Sequence, residues 1–183
     1  MSKFKIYTYF KDADEELVNN IKTVFELDFK KETYNNIYSS EFDEDFIDEI
    51  KEIRDSLTSD LFIDVVSFLS RDINTPFIKM ILEFLPELDP GNYLLSDIII
   101  QAFKQRKTNL VLEIKNYILD NFNQEIIDTY LRFIDDNLNA SKASSDMYIH
   151  RNTINYRLDS LYNKLGLNIR NINDALAFYL LFK

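Results

Sequence analysis

The chain has 183 residues, is 46% hydrophobic and carries a formal net charge of −10. That length holds one sizeable domain or two small ones, and the apolar content excludes wholesale disorder. The absence of cysteine excludes disulfides, thiolate metal sites and a cysteine nucleophile. No apolar run has the length of a membrane span, and "MSKFKIYTYFKDADEE" has no signal-peptide core, so the sequence reads as cytoplasmic with no membrane association.

Two glycines and three prolines leave little turn chemistry, which favours helices over a many-stranded sheet. Lys3–Phe10 alternates Phe4, Ile6, Thr8 and Phe10 on one face and predicts a strand. Asp12–Phe25 reads as a helix burying Leu17, Ile21, Val24 and Phe25. "LDFKKETYNNIYSSEF" fits a hairpin around Asn35-Asn36. Asp43–Leu57 carries a helical stripe of Phe46, Ile47, Ile50, Ile53 and Leu57, with acids in its first turn that suit the helix dipole. Leu61–Ser70 reads as a buried strand on its β-branched content, with a helix as the alternative. From Thr75 the period is helical. "PFIKMILEFLPEL" runs between two prolines, and "DPGN" at Asp89–Asn92 is a turn signal. "YLLSDIIIQAFKQ" and "NLVLEIKNYILDNF" follow as two helices whose apolar faces suit either a core or a subunit interface.

Residues 125–183 hold seven acids and seven bases, so the whole −10 falls on residues 1–124. Within 139–170 five bases face two acids, which leaves that segment at +3. A basic segment on an acidic body is the arrangement expected of a protein that meets a polyanion with one end.

Glu125–Asn137 is an amphipathic helix with Ile126, Ile127, Tyr130, Leu131 and Ile134 inward. Ser141 reads as the N-cap of a short helix over Lys142–Met147. The pattern resumes at His150 or Arg151, runs to about Leu165 and closes on Gly166. A last helix offers Leu176, Phe178, Tyr179 and Leu180 for packing. A short helix, a tight turn and a longer helix is helix-turn-helix spacing. On the longer helix Ile154, Leu158, Leu161 and Leu165 fall within roughly 60° of one another, leaving Asn152, Tyr156, Asp159 and Asn163 outward. Thr153 and Asn155 lie on the flanks, and Arg151 sits in the first turn. Amide and guanidinium groups so placed can read base edges in a major groove, while Ser141, Lys142, Thr153 and Arg157 can hold phosphates. A plain solvated face remains the alternative at this level.

The stretch "DTYLRFIDDNLNASKASSDMYIHRNTINYRLDSLYNKLGLNIRNINDALAFYLLF" resembles the C-terminal helix-turn-helix domain of the PucR-type regulators. "IHRNT" followed by "YRL" carries the resemblance, supported by Thr129, Leu131, Asn139, Ala143, Met147, Gly166 and Leu167. Where the family has two alanines this chain has Ala143-Ser144. The resemblance implies a DNA-binding domain with Arg151, Asn152, Thr153 and Tyr156 in or beside the groove. His150 then sits at the turn into the reading helix, as a cap or a phosphate contact. Arg157, near the apolar side, is either an internal salt bridge or a phosphate contact.

His150 cannot build a zinc site without a second histidine or a cysteine. The acids of "EFDEDFIDEIKE" form a solvated helix face rather than a metal site, and "GNY" has one glycine, too few for a phosphate nest. The sequence therefore predicts a mostly α (α+β) protein: a small N-terminal strand-and-helix domain, a helical middle and a C-terminal helix-turn-helix bundle. Residues 1–124 are expected to dimerise or sense, and residues 125–183 to bind DNA. The candidate contacts are Ser141, Lys142, His150, Arg151, Asn152, Thr153, Asn155, Tyr156 and Arg157. The expected protein is not an enzyme, needs no cofactor or metal, and binds double-stranded DNA as a homodimer. A protein-interaction module that keeps the helix-turn-helix shape is the rival reading.

Overall fold

A computed structural model describes residues 3–24, 30–32, 36–43, 52, 55–56, 59, 62–71 and 76–183. They group into two compact units. The first holds the described residues up to 71 together with 78–94, and the second holds 76–77 with 95–183. The fold is mostly helical with a small sheet, as the composition predicts.

The first unit is built on five strands among the described residues: β1 Lys3–Phe10, β2 Lys30–Lys31, β3 Ile37–Asp43, β4 Val65–Ser70 and β5 Gly91–Tyr93. Their order is β2-β3-β1-β4-β5, antiparallel throughout except the parallel β4–β5 pair. Because β1 is central, both of its edges are hydrogen-bonded, to β3 and β4. Phe4, Ile6, Thr8 and Phe10 are buried as the alternation predicts, and Tyr7 is buried opposite them. β4 confirms the strand reading of Leu61–Ser70 and is buried at every position. It starts only at Val65, since exposed Phe62 takes a left-handed φ of 55°. The predicted hairpin corresponds to the antiparallel β2–β3 pair; Asn36, at φ 53°, sits beside β3, while Asn35 lies outside the described residues.

Helix α1, Glu15–Val24, begins later than its sequence suggests, because the Asp14 carboxylate accepts the Leu17 N–H at 2.8 Å and caps it. The buried stripe also differs from the expected one. Val18 and Ile21 enter a core with Phe10, Ala13, Tyr38, Ile63 and Val65, whereas Leu17 is exposed. The helix expected over Asp43–Leu57 lies mostly outside the described residues, as do its apolar positions Phe46, Ile47, Ile50, Ile53 and Leu57. Helix α2, Ile78–Phe84, runs into a single 3-10 turn at Leu85–Glu87 around Pro86. "DPGN" proves only half turn: Gly91 and Asn92 open β5 and pair with Val66 and Ser67.

The second unit is all helical: α3 Leu95–Lys104, α4 Thr108–Asn121, α5 Gln124–Asp135, α6 Ala140–Asp146, α7 Arg151–Leu165 and α8 Ile172–Phe182. Ile98, Ile99 and Ala102 of α3 are fully buried, and α3 packs on α8. In α4 Leu110, Ile114 and Ile118 are core, while Leu112 and Leu119 are exposed. On α5 the stripe is Ile127, Thr129, Tyr130 and Phe133, so Leu131 and Ile134 sit at its edge rather than at its centre.

Helix α6 ends on Tyr148, which takes φ 55° while its neighbour's Ile149 N–H donates back to the Ser144 carbonyl at 3.0 Å. Glycine is the usual residue at such a left-handed stop, and Tyr148 is 96% exposed. Tyr148→Gly should therefore relieve about 1–2 kcal/mol of backbone strain without losing packing, offset by about 0.5–1 kcal/mol for glycine's freedom in the unfolded chain, so stability should rise slightly. A drop in urea midpoint would refute this.

Candidate nucleic-acid interface

Helix α6 is capped by Asn139, whose side-chain oxygen accepts the Ser141 and Lys142 N–H groups at 3.0 and 3.1 Å. Ser141 is therefore not the cap that the sequence suggested, but an exposed first-turn residue. Asparagine wins because its carbonyl reaches both free N–H groups from one position earlier.

Helix α7 starts and stops where predicted. His150 is its N-cap, with Nδ1 accepting the Asn152 N–H at 3.1 Å. Gly166 closes it at φ 73°. Of the two roles open to His150, capping is thus filled. Ile154, Leu158, Leu161 and Leu165 are buried and fix the roll of the helix. Arg151, Asn152 and Tyr156 consequently stand in solvent, with Thr153 and Asn155 half-buried on the flanks. A shallow surface hollow lined by Tyr156, Asp159, Ser160, Asn163 and Lys164 continues this face toward the C-terminal end.

Arg157 is placed differently. Its Nη1 donates to the Thr129 hydroxyl at 2.6 Å, its Nη2 pairs with the Glu125 carboxylate, and its side chain is only 14% exposed. The guanidinium is spent on α5, so the internal salt bridge is the role it occupies here. The Arg157 carbonyl in turn accepts the hydroxyl of Tyr130 at 2.9 Å. Two helices are thereby tied by one residue through both its side chain and its backbone.

The acids of the basic segment are neutralised in place. Asp159, outward on α7, pairs with Arg170 at 2.9 Å, and Arg170 also donates to the Asn155 carbonyl at 3.3 Å. Asp146 pairs with Arg132. Asp136 is buried between Arg132 at 2.8 Å and Lys142 at 3.0 Å. Of the five bases in 139–170, Lys142, Arg157 and Arg170 are thus paired internally. The other two of the five, Arg151 and Lys164, have no acidic partner among the described residues, and both are exposed on α7.

Burial works against the charge of Asp136, but the hydrogen bonds from Lys142 and Arg132 prevail and hold its carboxyl below its ordinary value of 3.8. The folded pKa is lower than the unfolded one. The stabilisation is therefore complete above about pH 4 and is lost as pH falls through the depressed value. Asp136→Asn should flatten the acid limb of thermal stability between about pH 5 and pH 2; an unchanged limb would assign acid lability to other carboxylates.

Glu125, Thr129, Asp136 and Arg170 are partners that the sequence reading missed. The contacts of Arg157 with Glu125 and Thr129 span 32 and 28 residues, beyond any helical period. Among the described residues no group of three or more His, Asp or Glu side chains is arranged to hold a metal, and no helix is long and apolar enough to cross a membrane.

Three comparisons bear on this geometry. Residues 126–183 match the PucR C-terminal helix-turn-helix domain. An uncharacterized Bacillus subtilis (strain 168) protein, YxkF, is 26% identical over 82 residues, which are 45% of this chain and 27% of that one. The chain thus matches about a quarter of that relative's length. The crystal structure of a regulator of polyketide synthase expression from Bifidobacterium adolescentis superposes with a TM-score of 0.49 at 12% identity, covering 98% of this chain and 78% of that one. The capped pair α6–α7 and its buried stripe agree with that match: residues 126–183 have the helix-turn-helix form of the PucR C-terminal domain they resemble.

Proposed function

We propose that the chain is a sequence-specific DNA-binding transcriptional regulator that acts as a homodimer and reads DNA with α7. One observation carries this reading. The outward face of α7 presents Arg151, Asn152 and Tyr156 with an unpaired cation at its tip, while the acids that would repel phosphate, Asp146 and Asp159, are held by arginines. Arg151 and Asn152 have the donor geometry to read guanine and adenine edges. Thr153, Asn155 and Tyr156 flank that contact. Ser141 and His150 lie exposed at two helix N-termini, whose dipoles favour phosphate oxygens; Lys142, beside Ser141, would reach a phosphate only by leaving Asp136. In a symmetric dimer the two copies of α7 stand about 34 Å apart, one turn of DNA. Residues 1–124, which carry the acidic surplus, dimerise or sense.

The test is selection of genomic fragments by the purified chain, followed by mobility-shift titration of the enriched site at several salt concentrations. A regulator enriches a defined site, and its log affinity falls linearly with log salt, at a slope of about −0.9 per phosphate neutralised. No enrichment together with a flat salt response would refute DNA binding. It would favour the protein-interaction reading, to which the exposed rings of Tyr148 and Tyr156 lend themselves.

A further inference from the structure

Arg170 is not among the contacts expected from the sequence, yet it lies along the outward face of α7. It belongs to the loop between α7 and α8. Its Nη2 pairs with the Asp159 carboxylate at 2.9 Å and donates to the Asn155 carbonyl at 3.3 Å. Arg151, Asn155 and Asp159 stand at i, i+4 and i+8 and so form one edge of that face. Arg170 is therefore placed along the edge whose tip is Arg151. A guanidinium carries N–H donors on three nitrogens, and its two acceptors here occupy Nη2 alone. Nε and Nη1 have no partner among the described residues, and the side chain is 37% exposed.

The loop fixes this placement from the other side. Asp174 is buried, and its carboxylate accepts the Asn168 N–H at 2.6 Å and the Asn171 side-chain amide at 3.0 Å. Asn171 Oδ1 accepts the Asp174 N–H in return at 2.8 Å, and Asn168 Oδ1 accepts the Arg170 N–H at 3.3 Å. A buried carboxylate is costly unless it is hydrogen-bonded, and this one is bonded to the loop itself. Leu167 and Ile169 are buried on the two residues that alternate with Asn168 and Arg170. The backbone of Arg170 is thus held by the loop and its side chain by α7, so a long cationic side chain is oriented before anything binds it.

A helix lying in the major groove has a phosphodiester strand along each of its edges. We infer that Arg170 is a phosphate contact of the reading unit. Asp159 and the Asn155 carbonyl anchor Nη2, and the N–H groups of Nε and Nη1 donate to a backbone phosphate, as charge-assisted hydrogen bonds. The inference rests on the reading of DNA by α7 proposed above and adds a contact from outside the two helices of the motif. A contact of this kind sets position and affinity but carries no base preference.

The experiment is mobility-shift titration of the full chain at several salt concentrations, on the selected duplex and on an unrelated one. Wild type is compared with Arg170→Ala and with Asp159→Ala/Arg170→Ala, which keeps the net charge of the wild type. The pair is exposed, so both variants should keep the helical circular dichroism and melt near the wild type. Arg170→Gln, which can still donate to the Asn155 carbonyl, repeats the test should the alanine variant melt early. Arg170→Ala is expected to lose affinity of the order of tenfold, by the same factor on both duplexes. The magnitude of its salt slope should fall by about 0.9, the loss of one neutralised phosphate. The charge-balanced variant is expected to keep that reduced slope. A wild-type slope in Arg170→Ala, or wild-type slope and affinity in the charge-balanced variant, overturns the inference and leaves Arg170 as a shield for Asp159. A wild type that binds neither duplex refutes the reading of DNA by α7 itself, and the contact falls with it.

Discussion

Tyr130→Ala should cost the second unit about 3–5 kcal/mol, the range for removing a buried aromatic and a large part of a domain's usual margin of about 5–15 kcal/mol. The ring is fully buried. It meets Phe122 edge-on at 5.8 Å and Phe178 at 5.3 Å, and Phe178 stacks on Phe182 at 4.8 Å. Its hydroxyl reaches the Arg157 carbonyl of α7. Removing the side chain opens a cavity under α7 and breaks that tie together. Tyr130→Phe separates the two effects, and with packing retained the loss should be only about 1 kcal/mol. Burial raises the phenol far above its ordinary pKa of 10.0, only partly opposed by a hydrogen bond with Ser160 and by the charge of Arg157. Its contribution to stability is therefore present below about pH 10 and lost as pH rises beyond it, because the unfolded chain ionises first. Urea titrations from pH 7 to 11 would show an alkaline limb that Tyr130→Phe flattens. If Tyr130→Ala melts with the wild type, the aromatic column is not what holds α7.

Arg151→Ala is expected to weaken specific DNA binding by about 1–3 kcal/mol, roughly 5- to 150-fold, with no change in melting temperature. Arg151 is exposed and, among the described residues, has no internal partner, so folding does not register its loss. Arg157→Ala should do the reverse. It strips the Thr129 hydroxyl and the Glu125 carboxylate of their partner and lowers stability, while the salt dependence of binding stays that of the wild type. Mobility shifts and thermal melts on the same preparations distinguish the two arginines. Equal affinity of Arg151→Ala and wild type for the selected site would show that the tip of α7 is not the reader.

Much of this was legible in the residues, and what was not had non-local causes. The limits of α7 followed from His150 and Gly166, and its buried face from the spacing of Ile154, Leu158, Leu161 and Leu165, because period and caps are local properties. β1 was legible for the same reason, although its pairing on both edges depends on having β3 and β4 as neighbours. The frame of α1 was misread twice: one capping carboxylate, Asp14, moves the helix start, and packing with Phe10, Tyr38 and Val65 selects Val18 and Ile21 rather than Leu17. β5 was hidden under a turn signal, since a three-residue parallel strand exists only through its partner β4. In the candidate site the side chains facing outward on α7 were predictable from the wheel. Which of the cations were already engaged was not, because Glu125 and Thr129 reach Arg157 from a separate helix and Arg170 reaches Asp159 past a helix end.

The scarcity of glycine carries an entropic consequence. Among the described residues, Asp12, Asn36, Phe62, Arg106, Asn137, Leu138 and Tyr148 hold left-handed backbone that glycine would adopt without strain. Each such residue costs of the order of 1 kcal/mol in the folded chain. Each also narrows the conformations open to the unfolded one, so less backbone freedom is surrendered on folding. Asn137 and Leu138 lie at the entry to α6, and Tyr148 lies between α6 and α7. The angle between these helices is thus set by steric exclusion at side-chain-bearing joints. If α7 reads DNA as proposed, it meets the duplex already oriented, and little ordering entropy is left to lose on association.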